Sequence, residues 1–115
     1  MYSTLNKLLT YEVADNIGIL TINRPNQQNA LSSDLMKNLI HKLDEIKDNK
    51  NIKVVTIFAN GNNFCAGHDL KELKMDKSEK RFKQIFELCS SLMIKIVKLP
   101  KPVIAGVHGI ATAAG

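Results

Sequence analysis

Two short apolar runs open the chain, Leu8 to Val13 and Ile17 to Ile22, with the turn-forming dipeptide Asp15-Asn16 between them. Runs of this length joined by a short polar break predict a β-hairpin. Asn23-Arg24-Pro25-Asn26 ends the second run, because Pro25 has no N–H to give to a strand ladder. The spacing then changes. Leu35, Met36, Leu39, Ile40 and Leu43 recur at intervals that gather them on one helical face, while Lys37, His41, Lys42 and Asp44 fall elsewhere. Ser32 or Ser33 suits the N-cap of this helix and Asp34 its first turn.

Val54 to Ala59 is a nearly continuous apolar run rich in β-branched residues, the pattern of a strand covered on both faces. It ends at the turn-rich Asn60-Gly61-Asn62-Asn63. A second, long helix is predicted from about Ser78 to Leu99. Phe82, Ile85, Phe86, Cys89, Leu92, Met93, Ile96 and Val97 form its expected buried stripe, and Pro100 and Pro102 stop it. Val103 to Val107 reads as another buried strand, and Gly109 to Gly115 as a turn of small residues. The order hairpin, helix, strand, helix, strand implies an α/β fold with parallel pairing through βαβ crossovers. A last strand that feeds a helix-opening turn would leave its sheet edge without cover. The sequence therefore reads as truncated.

Bulk properties narrow the classes without choosing among them. The chain has 115 residues, 44% hydrophobic and 23% charged, which fits one globular domain or a piece of one. No apolar run approaches the ~20 residues of a membrane span. Met1 to Thr10 lacks the features of a secretory signal, so the expected location is cytoplasmic, with a mitochondrial one as the alternative. Cys65 and Cys89 have no metal-ligand spacing and read as free thiols. A net charge of +5 would suit an anionic ligand. Many of the basic residues lie between Lys71 and Lys101, interleaved with Asp76, Glu79 and Glu87 and without an aromatic-rich stripe. A solvated helix face is the first reading of this charge, attraction of an anionic cofactor's phosphates the second, and nucleic acid the third.

Chemistry is expected just after the buried strands, where open α/β sheets place their sites. Two stretches stand there. One is Phe64-Cys65-Ala66-Gly67-His68-Asp69-Leu70-Lys71-Glu72-Leu73; the other runs from Pro102 to Gly115 and is rich in small residues that let a backbone approach a ligand. A helix begun after the second would aim free N–H groups at a bound anion.

Three motifs in order now carry a resemblance. Asn23-Arg24-Pro25 with Asn29-Ala30-Leu31, then Phe64 through Leu73 with His68 where an Ala is usual, then Lys101-Pro102-Val103-Ile104-Ala105 with Gly109 through Gly115, together resemble the enoyl-CoA hydratase/isomerase (crotonase) superfamily. Gly-His-Asp-Leu-Lys-Glu-Leu with Ala-Thr-Ala-Ala-Gly is most similar to its enoyl-CoA hydratase domain-containing branch. The resemblance implies a partial crotonase-like domain over residues 1–115. It would be the N-terminal half of an α/β spiral of ββα repeats, ending within the Gly-rich turn and before the catalytic second half. It implies a coenzyme A thioester as substrate or ligand, no permanently bound cofactor, no metal, and a homotrimer or hexamer for the full-length form.

Matched residue by residue, the resemblance places the two backbone N–H donors of a thioester oxyanion hole on His68 and Ala114. Two fixed N–H dipoles stabilise the charge that builds on the thioester oxygen without reorganising, and one such donor is worth about 10²–10³ in rate. By the same resemblance Gln28, Ala30, Ala66, Gly67, His68 and Leu70 would contact the CoA moiety. The family's hydratases carry one catalytic carboxylate two residues past the last Gly of the turn and another further on. Both positions lie beyond Gly115, so enzymatic activity of these 115 residues is an open question.

Plainer roles stand beside these. The His68 side chain could act as a base, but a lone loop histidine is more often exposed or hydrogen-bonded. His108 is expected to make a structural hydrogen bond, and His41 to be solvated. Cys65 is expected to be a packing residue rather than a reactive thiol. Asp69 and Glu72 are candidate acids, with Asp69 better suited to capping a short following helix. Three functions remain in view: an acyl-CoA hydratase/isomerase-family protein, a non-catalytic CoA-thioester binder or truncated pseudoenzyme, and an RNA- or partner-binding module resting on the basic charge alone.

Overall fold

The computed structural model describes residues 8–112 and Gly115. Strand β1 (Leu9–Ala14) and strand β2 (Ile17–Ile22) form the antiparallel hairpin. Its two-residue turn puts Asp15 at φ 52° and Asn16 at φ 65°. Both central residues are left-handed, as the twist-matched two-residue hairpin turn requires, and Asp and Asn tolerate this best after Gly. A single turn of 3₁₀ helix, Pro25–Gln27, follows, with Pro25 in the first position where its missing N–H costs nothing.

Helix α1 (Ser33–Asp48) is capped by Ser32, whose side chain accepts from the Leu35 N–H. Strand β3 (Val54–Ala59) comes next, then a short helix α2 (Leu70–Met75), the long helix α3 (Glu79–Lys98) capped by Ser78, and strand β4 (Val103–Ala105). The sheet order is β1-β2-β3-β4, with β2, β3 and β4 mutually parallel. The α/β fold and the crossover pairing expected from the sequence are both present. Both α1 and α3 pack on one sheet face. Leu35, Met36, Leu39, Leu43 and Ile46 of α1 and Ile85, Cys89 and Leu92 of α3 share one core with Leu20, Ile22, Val55 and Ile57.

Three expectations need correction. Strand β3 is covered on one face only, since Val55 and Ile57 are buried while Phe58 is 44% exposed. Strand β4 is short and largely exposed, with Ile104 at 56% and Val107 at 57%, rather than a buried strand from Val103 to Val107. Among the described residues the helices lie on one face and β4 is an edge. Its β-branched run therefore has nothing over it. The stripe on α3 is also narrower than its apolar pattern: Phe86 is 48% and Val97 82% exposed, because α3 rests on α1 along one side only.

Candidate functional site

The loops that follow β2 and β3 are tied together by polar side chains from the first motif. Asn29 is fully buried, with a left-handed φ of 55°. Its side-chain oxygen accepts from the Arg24 N–H at 2.7 Å, and its Nδ2 donates to the carbonyls of Asn60 at 2.7 Å and Asn63 at 2.8 Å. One amide thus closes the loop after β2 and pins the loop after β3 against it. The Arg24 guanidinium donates to the Ala30 carbonyl at 2.5 Å and pairs with Asp69 at 3.0 Å. The Asn63 side chain donates to Gln28 at 2.5 Å and accepts from the Ile110 N–H at 2.9 Å. All three motifs therefore meet at one end of the sheet, beyond the C-terminal ends of β2, β3 and β4.

The segment from Phe64 to Asp69 crosses this junction, and its N–H groups are almost all spoken for. Phe64 donates to His108 at 2.9 Å, Cys65 to Ile110 at 3.0 Å, Ala66 to Gln28 at 3.1 Å, Gly67 to the Cys65 sulfur at 3.4 Å, and Asp69 to Leu31 at 3.2 Å. The exception is His68, whose N–H has no acceptor among the described residues. Gly67, at φ 90°, supplies the left-handed turn that aims this N–H away from the ladder with Leu31. The His68 ring meets Phe86 edge-on with centroids 5.0 Å apart, and its Nδ1 is buried without a partner among the described residues.

Gln28, Ala30, Ala66, His68 and Leu70 line one shallow cleft of about 230 Å³, together with Asn26, Gln27, Asp69 and Lys71. Five of the six residues expected to contact CoA thus share one surface; Gly67 lies buried beside them. Ala114 lies outside the described residues. Nearby in sequence, the Thr112 N–H donates to the Cys65 carbonyl at 3.1 Å and its hydroxyl to the carbonyl of Ala66, a residue of the cleft, at 3.4 Å. Gly115 comes so close to Cys65 that a Cβ there would sit 2.8 Å from the cysteine Cβ.

The two candidate acids are both engaged in structure. Asp69 Oδ1 accepts from the N–H groups of Lys71 at 3.0 Å and Glu72 at 3.2 Å, capping α2, while Oδ2 holds Arg24. Burial pushes the Asp69 carboxyl up, but the Glu72 N–H, the Arg24 guanidinium and the Lys71 N–H outweigh it and hold it below its ordinary value. Glu72 accepts from the N–H and hydroxyl of Ser33, the latter at 2.7 Å, at the start of α1. Burial raises the Cys65 thiol above its ordinary value, and the side chain packs in the core, as expected. His108 hydrogen-bonds the Gly61 carbonyl at 2.8 Å, and His41 is exposed beside Glu45. No three His, Cys, Asp or Glu side chains among the described residues gather as metal ligands.

The loop-pinning role of Asn29 is the part that sequence reading missed. Its signal was faint: an Asn after a 3₁₀ turn, able to take the left-handed conformation and to satisfy several backbone groups at once.

Comparison with known proteins agrees with this geometry. The family described as enoyl-CoA hydratase/isomerase matches residues 12–115. The human mitochondrial enoyl-CoA hydratase domain-containing protein 3 is 39% identical over 101 residues, which cover 88% of this chain and 33% of that protein. Its Xenopus laevis counterpart is 41% identical over 96 residues, 84% of this chain and 33% of that protein. Among solved structures, an enoyl-CoA hydratase of Mycobacterium smegmatis superposes with a TM-score of 0.91 at 40% identity, covering 94% of this chain and 42% of that one. The structure of the human domain-containing protein 3 gives a TM-score of 0.88 at 36% identity, covering 93% and 42%. The chain spans about a third of the curated relatives' length. Among the described residues no helix is long and apolar enough to cross a membrane. With three ordered motifs folded into one junction and a family match across nearly its whole length, this chain belongs to the enoyl-CoA hydratase/isomerase (crotonase) superfamily and corresponds to its N-terminal region, alongside the domain-containing branch.

Proposed function

We propose that this chain binds acyl-CoA thioesters, with the thioester oxygen held by the backbone N–H groups of His68 and Ala114. The observation that carries the reading is the N–H of His68, without an acceptor among the described residues, at a cleft lined by Gln28, Ala30, Ala66 and Leu70. This peptide donor is positioned by the Gly67 turn and the bridge to Leu31. It is suited to an oxygen that gains charge as an enolate forms. The CoA moiety lies along the cleft, where Gly67 shapes the backbone and Lys71 adds positive charge. Because the donor belongs to the backbone, a histidine in place of the more usual alanine leaves the oxyanion hole intact. The longer protein assembles as a homotrimer or a pair of trimers, in the cytoplasm or, as the relatives' names suggest for those proteins, in the mitochondrion.

A second reading, binding without turnover, is favoured by the state of the carboxylates. Asp69 and Glu72 are the acids beside the cleft, and each is fully engaged in capping and pairing. Hydration or isomerisation then calls for an acid and a base other than these two.

Calorimetric titration of the full-length protein with acetoacetyl-CoA, combined with amide NMR, tests the proposal. Binding should move the His68 amide proton strongly downfield, and His68→Ala, which keeps the N–H, should retain most of the affinity. Absence of binding at millimolar ligand, or binding that leaves the His68 amide unmoved, would sink it. Crotonyl-CoA hydration assays then separate the enzyme from the binder.

A further inference from the structure

The end of the sheet opposite the cleft carries a different surface. The C-termini of α1 and α3 converge there with the segments that lead into β3 and β4. Two shallow clefts meet at Lys47: one is lined by Lys95, Lys98 and Ile94, the other by Lys50, Lys53 and Lys101. Six lysines thus stand against two acids, Asp44 and Asp48, of which Asp44 pairs with Lys95 at 2.7 Å. Helix ends explain part of this. Lys47, Lys95 and Lys98 sit in last turns, where the helix dipole favours cations, and Lys101 caps α1 by donating to the carbonyls of Ile46 and Asn49. The dipoles do not account for Lys50 and Lys53, which lie beyond α1. Nor do they account for the apolar side chain among the charges: Ile94 lines the first cleft and is 53% exposed.

We propose that this face docks on an anionic phospholipid surface. Lysines and exposed aliphatic side chains are the pair of features that interfacial binding uses, the charges attracting lipid headgroups and the aliphatic groups entering the headgroup boundary. The composition disfavours nucleic acid. The patch holds no arginine for bidentate contacts and no aromatic ring for base stacking. Docking through this end leaves the cleft, at the other end of the parallel strands, open to a soluble ligand.

Co-sedimentation of the full chain with vesicles tests this, using phosphatidylcholine alone and phosphatidylcholine with about 30% phosphatidylserine. The expected result is binding to the anionic vesicles only, lost as salt rises from about 20 mM to about 300 mM. Each lysine near the surface contributes roughly a fivefold factor, so a Lys47→Gln, Lys50→Gln, Lys53→Gln and Lys98→Gln variant should bind more than a hundredfold more weakly. Ile94→Asp should weaken vesicle binding while leaving the fold intact by circular dichroism. The proposal is overturned by no binding to anionic vesicles at low salt, by binding that the lysine variant retains, or by tighter binding to RNA that Ile94→Asp leaves unchanged. Because no residue of the acyl-CoA cleft is altered, acetoacetyl-CoA affinity should be the same in both variants.

Discussion

Asn29 makes three hydrogen bonds from a fully buried side chain, one to the backbone of the loop after β2 and two to the backbone of the loop after β3. Its replacement by alanine would strand the Asn60 and Asn63 carbonyls and the Arg24 N–H away from water, at a cost of about 1–3 kcal/mol for an unsatisfied group. We expect Asn29→Ala to lose at least about 2–4 kcal/mol in denaturant-melt stability, and the exposed Asn62→Ala to stay within about 0.5 kcal/mol of the parent. Asp69 adds a pH dependence. Its folded carboxyl lies below the ordinary value of 3.8, so the unfolded chain binds the proton more readily. The stability it contributes is fully present above that value and is lost as the pH falls through the lower, folded one. Melts between about pH 6 and pH 2 should therefore show an acid-induced fall that Asp69→Asn makes shallower; an unchanged slope would count against the Arg24–Asp69 pairing. At this scale the sequence told where the motifs lay but not what held them. The partners of Asn29 and Arg24 are backbone carbonyls and a side chain up to 45 residues away, and neither has a sequence signature.

The elements were far more legible, because each is specified locally. The hairpin, the start of α1, β3 and α3 all fall within a residue or two of the pattern that predicts them, since periodicity, turn residues and serine caps agree. Ser32 is the informative case. Its hydroxyl accepts from the Leu35 N–H, while Glu72, from α2, accepts from the Ser33 N–H beside it. The start of α1 is thus capped twice, once locally and once from across the fold. Ser32→Ala should cost about 1 kcal/mol, as a lost N-cap does, and Glu72→Gln somewhat less, because an amide oxygen can still accept. Urea melts of the two single variants and the double should show a non-additive pair, since the two caps serve N–H groups of the same first turn, those of Leu35 and Ser33. Strand β4 was the element least well foreseen. An apolar, β-branched run reports that a strand wants cover, and Ile104 shows that the described residues do not provide it.

At the scale of the whole molecule the parallel strands give the protein two unlike ends. The ends that follow the strands gather the three motifs, the His68 N–H and the cleft; the ends that precede them gather the lysines. This polarity was only half legible. The rule that sites follow strands in α/β sheets located the first end from the sequence, but lysines scattered from Lys47 to Lys101 become a patch only once α1 and α3 pack side by side. The separation has a measurable consequence. A ligand that binds only the folded state adds stability by mass action, about 2.7 kcal/mol at a hundred times its dissociation constant. Acetoacetyl-CoA should therefore raise the melting temperature progressively with concentration. The four-lysine variant should show the same increment at equal saturation, because no contact in the cleft has changed. Sites that share no residues and no bistable element have a coupling free energy near zero. Anionic vesicles should accordingly leave the acetoacetyl-CoA dissociation constant unchanged. A shift of more than about threefold would mean that the two ends are linked, and that α1 and α3, which run the length between them, move when either is engaged.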